Sequence, residues 1–186
     1  MSLQLIALLT NIALAILKFS VGLVAGSRAL LADAFNSAGD VVATLVAWVA
    51  FRIGRAPADE DHHYGHDNAE ALAGLLVGGM LCATGAFICI EGVLAWFEAP
   101  RQKPPELLAL WAALITAVVK EVLYRASIRV GRATHSPTLM ASARDHRADV
   151  LTSLVAAAGV VLARYGYPAF DDAAGGVIGV YIFFLG

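Results

Sequence analysis

The sequence predicts an all-α integral membrane protein with six transmembrane helices. Of its 186 residues, 59% are hydrophobic and 15% are charged, whereas soluble domains carry about 25% charged residues. The apolar residues form blocks of roughly 17–25 residues, which is the length that a helix needs to cross a bilayer. A spanning β-strand would instead alternate over about ten residues. The net charge of −2, without a basic stripe, gives no indication of a nucleic-acid partner.

The first three predicted helices cover approximately residues 5–24, 29–53 and 69–96. The first is apolar apart from Lys18, whose ammonium group is expected either to snorkel or to meet an acid. The second contains polar residues in the middle of an apolar stretch. A polar loop over residues 54–70, with three histidines and five acids, connects it to the third.

The last three predicted helices cover approximately 107–130, 138–162 and 169–186. A loop with three of the six prolines precedes the fourth helix. Within that helix Glu121 and Arg125 are four residues apart and are expected to pair. The fifth helix has a polar beginning, and the sixth has barely enough residues to span. We expect residues 1–186 to form one transmembrane domain that no cleavable signal peptide precedes.

Basic residues in the connections predict the orientation of the chain in the membrane. Seven lie on one predicted side: Arg52, Arg55, Arg125, Arg129, Arg132, Arg144 and Arg147. Four lie on the other: Arg28, Arg101, Lys103 and Arg164. The bias favours the first side as cytoplasmic. It predicts a multi-pass protein of the cell membrane, of a bacterial inner membrane type, with both termini in the cytoplasm.

Two matched pairs of polar side chains stand out within the apolar blocks. Asn36 and Asp40 are four residues apart on the second helix, and Asp145 and Asp149 repeat that spacing on the fifth. Residues four apart share one helix face. An ionisable group inside a spanning helix is expected to face the bundle interior and to have a partner there. If the two helices pack together, the four oxygen-bearing side chains converge.

Such a cluster requires compensation for its negative charge, because three carboxylates do not all stay ionised in a low dielectric. A divalent cation or protons supply it, and an oxygen-only donor set favours hard or borderline ions such as Mn²⁺, Mg²⁺ or Fe²⁺. The structural alternative is a set of capping and salt-bridged acids. Asp145 would then lie near a helix N-terminus, and Asp149 would pair with Arg144 or Arg147.

Three segments, SRALLADAFNSAGDVV, PADEDHHYGHDNAEALAGL and ASARDHRADVLTS, resemble the transmembrane domain of the cation diffusion facilitator family. The resemblance implies six helices, a homodimer, and export of divalent metals in exchange for protons. It also implies that the family's central transport site corresponds to Asn36, Asp40, Asp145 and Asp149. Zinc-transporting members usually have His at one or both first positions of the pairs, so Asn36 and Asp145 resemble the manganese branch, with iron close behind.

The resemblance implies further residues around this site. Asp59, His62 and His66 match a second metal site that some members have between helices two and three, and their spacing allows one turn to present all three. Asp33 matches an acid common in the family and is expected to support the pathway rather than bind metal. His146 is expected about 100° around the helix from Asp145, where it would at most support the ligands and not bind the metal itself. The family normally continues into a cytoplasmic metal-binding domain, which this sequence is not expected to contain.

The sequence thus predicts an efflux transporter for Mn²⁺ or Fe²⁺, with Zn²⁺ as a further possible cargo, that works as a proton antiporter by alternating access. No permanent cofactor is expected, and the partners are the metal ion, protons, the lipid bilayer and a second copy. An enzyme is not expected, since the sequence contains no His-Glu-x-x-His motif. A non-transporting metal sensor or assembly scaffold on the same fold stays open as the alternative.

Overall fold

The computed structural model describes residues 3–54, 68–97 and 103–186, and these form six α-helices. The helices are α1 (Leu3–Ala25), α2 (Arg28–Gly54), α3 (Ala69–Phe97), α4 (Leu107–Ala133), α5 (Pro137–Arg164) and α6 (Ala169–Leu185). The prediction of an all-α protein with six helices is confirmed. The largest difference in bounds is the end of α4, which lies at Ala133 rather than at residue 130.

Five of the helices, α1 to α5, are long and apolar enough to cross a bilayer. The remaining described helix, α6, has 17 residues. Large apolar side chains point outward along the bundle, such as Leu75, which is 73% exposed, and Phe184, which is 81% exposed. A bundle that presents large apolar residues outward and buries polar ones is suited to a lipid surround.

The interior of the bundle is built largely from small side chains. Alanines form most of the buried hydrophobic cluster, among them Ala29 of α2, Ala109 and Ala113 of α4 and Ala156 of α5, each fully buried. Small residues allow helix backbones to approach closely, and van der Waals packing is what drives helix association in a membrane. The close approach leaves the interior polar side chains within reach of neighbouring helices.

Glycines bring α3 and α6 into backbone contact. A Cβ atom at Gly85 would lie 2.3 Å from the backbone nitrogen of Phe183, and one at Gly179 would lie 2.7 Å from that of Cys89. A Cβ at Gly92 would lie 2.8 Å from the Cα of Gly176. Since each of these contacts is with backbone, no side-chain rearrangement makes room for a larger residue.

The beginning of α2 is fastened to the beginning of α6 by Asp171. Its Oδ1 accepts a hydrogen bond from the Ser27 hydroxyl at 2.7 Å, and its Oδ2 accepts one from the Arg28 backbone at 2.7 Å. The Ser27 hydroxyl in turn accepts from the Leu30 backbone at 3.1 Å. Ser27 therefore caps α2 while Asp171 holds the cap.

Candidate functional site

Helices α2 and α5 meet through Asn36 and Asp149. The Asn36 amide donates a hydrogen bond from Nδ2 to Oδ1 of Asp149 at 2.9 Å, and each residue is only 2% exposed. The amide oxygen of Asn36 is also buried and has no hydrogen-bond partner among the residues that the structure describes. A buried acceptor without a donor is unusual. This oxygen is therefore an unsatisfied acceptor at the contact between α2 and α5.

The other two residues of the predicted set lie at the edge of this contact. Asp40, one turn along α2 from Asn36, is half-buried, and its carboxyl interacts with that of Asp149. Asp145, one turn before Asp149, is exposed, although its charge also acts on Asp40. The structure thus brings three of the four side chains into one cluster and leaves Asp145 at its rim.

Lys120 of α4 reaches into the same cluster, which the sequence reasoning did not predict. Its ammonium donates a hydrogen bond to Oδ2 of Asp149, and the side chain is fully buried. Asp149 therefore has an ionic partner on α4 rather than the neighbouring Arg144 or Arg147. Arg147 instead lies 2.6 Å from Glu121, which also pairs with Arg125 at 2.8 Å as predicted. The signal for Lys120 was present in the sequence, because a lysine inside an apolar block needs a partner.

Asp33 lies apart from this cluster in a polar network of its own. Its Oδ2 is 2.8 Å from the Lys18 ammonium, which also donates to the Ser37 hydroxyl at 2.9 Å. The Thr152 hydroxyl donates to Oδ1 of Asp33, and the Ser153 hydroxyl donates to Oδ2, both at 2.7 Å. Lys18 thus meets an acid rather than snorkelling. Both oxygens of Asp33 are occupied by donors from α1 and α5.

His146 is buried on α5, and its predicted role in supporting the ligands stays a prediction. The ring is 2% exposed, its Nε2 lies 3.4 Å from the Ser142 hydroxyl, and its Nδ1 has no hydrogen-bond partner among the described residues. The buried face of α5 passes through His146, Asp149 and Ser153, which follow each other at three- and four-residue spacing. Rotation of the helix toward this face turns His146 inward and carries Asp145 to the rim.

The predicted loop site, Asp59, His62 and His66, lies outside the described residues. Within residues 3–54, 68–97 and 103–186, no group of three or more His, Cys, Asp or Glu side chains is arranged to hold a metal ion. In the central cluster, Lys120 donates to one oxygen of Asp149, and Asp145 is exposed. The donor atoms of the cluster are nonetheless oxygens, the type that suits Mn²⁺, Mg²⁺ or Fe²⁺.

Known proteins resemble this chain along nearly its whole length. The model of the cation efflux transmembrane domain matches residues 4–186. The manganese efflux system protein MneP of Bacillus subtilis is 39% identical over 97% of this chain and 62% of its own length. The magnetosome protein MamB of Magnetospirillum gryphiswaldense is 33% identical over 90% of this chain and 56% of its own.

A second Bacillus subtilis protein, the manganese efflux system protein MneS, is 30% identical over 96% of this chain and 61% of its own length. The chain thus spans about three fifths of the length of these curated relatives. The match to the family model is continuous and includes both helices that carry the central cluster. With its six described helices and polar residues between α2 and α5, the chain belongs to the cation efflux family, also called the cation diffusion facilitators.

Proposed function

We propose that this chain forms the membrane path of a divalent-metal efflux transporter, with Mn²⁺ as the favoured cargo and Fe²⁺ or Zn²⁺ as further candidates. The observation that carries the proposal is the contact between Asn36 and Asp149, which joins α2 to α5 and leaves the amide oxygen of Asn36 buried without a donor. Asp40 and Asp145 complete an oxygen-only set. The manganese efflux relatives support the choice of metal.

In this proposal the metal binds from the cytoplasm and displaces protons from the carboxyl groups, because metal ligands must be deprotonated. Asp40, Asp145 and Asp149 act as charged ligands, and Asn36 acts as a neutral one. Binding requires Asp145 to turn inward from the rim. Reopening to the other side exposes the ligands to protons, which release the metal and neutralise the site for its return. We further propose a homodimer with both termini in the cytoplasm.

The test is metal uptake by proteoliposomes, with Mn²⁺, Fe²⁺ and Zn²⁺ compared and a pH-sensitive dye inside the vesicles. Wild type is expected to move Mn²⁺ or Fe²⁺ with an opposing proton flux, and Asp40→Asn is expected to lose at least about 90% of this flux, equivalent to a loss of about 1.4 kcal/mol or more of stabilisation. Asn36→His is expected to gain Zn²⁺ transport, because imidazole suits zinc better than an amide does.

The control variant is Glu121→Gln, which changes an acid of α4 that faces arginines rather than the cluster. It is expected to transport at the wild-type rate. Transport unchanged in Asp40→Asn would contradict the site, and metal flux without proton flux would contradict antiport. Metal binding without any flux would favour the sensor or scaffold alternative.

A further inference from the structure

Lys120 lies where a cation would lie in the proposed transport site. Its ammonium donates to Oδ2 of Asp149, and its positive charge also acts on Asp40 and Asp145. The side chain is fully buried. All three carboxylates of the proposed ligand set therefore interact with one tethered positive charge.

We propose that Lys120 is a built-in competitor of the transported metal, which compensates the site when it is empty and must leave Asp149 when the metal binds. This inference rests on the proposed function. The ammonium and a divalent cation repel each other, and both require the same carboxylate oxygen. Metal entry is thus an exchange of one cation for another, and metal release is aided by the return of the ammonium.

Without the Lys120 ammonium, the empty site would hold the carboxylates of Asp40 and Asp149 unpaired in a low dielectric, which is unfavourable. The lysine therefore lowers the affinity for metal and, for the same reason, lets the empty transporter return. Its role is that of a positioning and affinity-setting residue rather than a ligand, since an ammonium group has no lone pair to offer a metal.

The second buried lysine provides a matched comparison. Lys18 is also fully buried and paired with an aspartate, but its partner is Asp33, and its remaining contact is with Ser37. Lys18 therefore belongs to the separate polar network. Substitution of either lysine removes a buried ammonium group. Only substitution of Lys120 also removes a positive charge that competes with the metal.

The experiment measures Mn²⁺ affinity by titration calorimetry on the purified protein in detergent, for wild type, Lys120→Met, Lys120→Arg and Lys18→Met. Lys120→Met is expected to bind Mn²⁺ about tenfold more tightly or better, because the competing charge is gone. Lys120→Arg keeps the charge and is expected to bind with an affinity closer to that of wild type. Lys18→Met is expected to show no gain in affinity.

Proteoliposome kinetics give a second measurement. In Lys120→Met the KM for Mn²⁺ is expected to fall while kcat falls too, because the metal enters readily and leaves slowly. An Mn²⁺ affinity in Lys120→Met that is equal to or weaker than that of wild type would overturn the proposal, provided that the variant elutes as a monodisperse species. If Lys120→Met does not fold, a Lys120→Gln variant is measured by the same two criteria.

Asp40→Asn separates this proposal from the proposed function. If Asp40→Asn fails to weaken Mn²⁺ binding in an otherwise wild-type protein, the central cluster is not the metal site and the inference about Lys120 is overturned with it. If Asp40→Asn weakens binding but Lys120→Met does not strengthen it, the site stands and only the role of Lys120 is overturned.

Discussion

Lys18 and Asp33 form an ion pair with no solvent exposure, in which the Lys18 ammonium lies 2.8 Å from Oδ2 of Asp33. The pair joins α1 to α2, and hydroxyl groups from α5 complete the coordination of the carboxylate. Such a network is stabilising only while every member is present, because a buried charge without its partner is strongly unfavourable.

We therefore expect Lys18→Met to lower the free energy of unfolding by about 3–5 kcal/mol. The double variant Lys18→Met/Asp33→Asn is expected to recover most of this loss, since it removes both charges together. Unfolding in detergent, followed by circular dichroism, measures the difference between the single and double variants. Equal stability of the two would contradict this prediction, because it would show that removing the unpaired Asp33 charge recovers nothing.

The exposed pairs around Glu121 should behave in the opposite way. Glu121 lies within 2.8 Å of Arg125 and 2.6 Å of Arg147, but both arginines are largely exposed. Glu121→Gln is expected to leave the free energy of unfolding almost unchanged, with any effect reduced by added salt. The same detergent unfolding assay at low and high ionic strength checks this. A large loss of stability that does not depend on salt would contradict it.

The glycine contact between α3 and α6 predicts that alanine substitutions at two glycines of α3 have different effects on stability. Gly85→Ala places a methyl group against the backbone of Phe183 and Gly179 and is expected to lower the free energy of unfolding by about 1–3 kcal/mol or more. Gly74→Ala, on the same helix, meets nothing within 4 Å. It is expected to be neutral or to stabilise by up to about 1 kcal/mol, because alanine has the higher helix propensity. Thermal unfolding of the two variants gives the comparison, and equal losses would contradict the backbone contact.

The hydrogen bonds between the beginnings of α2 and α6 predict that substitution of Asp171 lowers the stability of the protein. Asp171→Asn has only one acceptor oxygen for two donors, the Ser27 hydroxyl and the Arg28 backbone. We expect a loss of about 1–3 kcal/mol, because one buried donor is left without an acceptor. Thr134→Val is the control, since its hydroxyl is exposed and bonds only to its own helix; it is expected to change stability by less than about 0.5 kcal/mol. Thermal unfolding again distinguishes them, and an equal effect of both substitutions would contradict the role of Asp171.

The helices could be predicted from the sequence because blocks of apolar residues are a strong signal in a membrane protein. The positions of side chains within the bundle were harder to predict. Seen along the helix axis, Asp145 and His146 lie on the two sides of Asp149, about 100° apart. A rotation of α5 about its axis by roughly this angle therefore decides which of the two is buried. The structure buries His146 and exposes Asp145. Packing against α2, α4 and α6 fixes that rotation, and the spacing of the acids within α5 does not reveal it.

Lys120 escaped prediction for a different reason. Acids, amides and imidazoles are side chains that bind metal ions, and a lysine is none of these. The partner of Lys18 could not be predicted, because the sequence of one helix does not show which acid on another helix lies next to the lysine. Both lysines follow the same rule, that an ionisable group within the membrane pairs inside the bundle, and only the packing shows which acid each one meets.

The two oxygens of Asp149 face different helices, one toward Asn36 of α2 and the other toward Lys120 of α4. This one residue therefore connects three helices and is also an acid of the cluster. A substitution at this position breaks two interhelical contacts at once. Its effect on transport therefore combines a loss of helix packing with the loss of a proposed ligand. Asp40 is half-buried at the edge of the same cluster. A substitution of Asp40 therefore separates the two effects, because it changes the cluster and leaves both interhelical contacts of Asp149 in place.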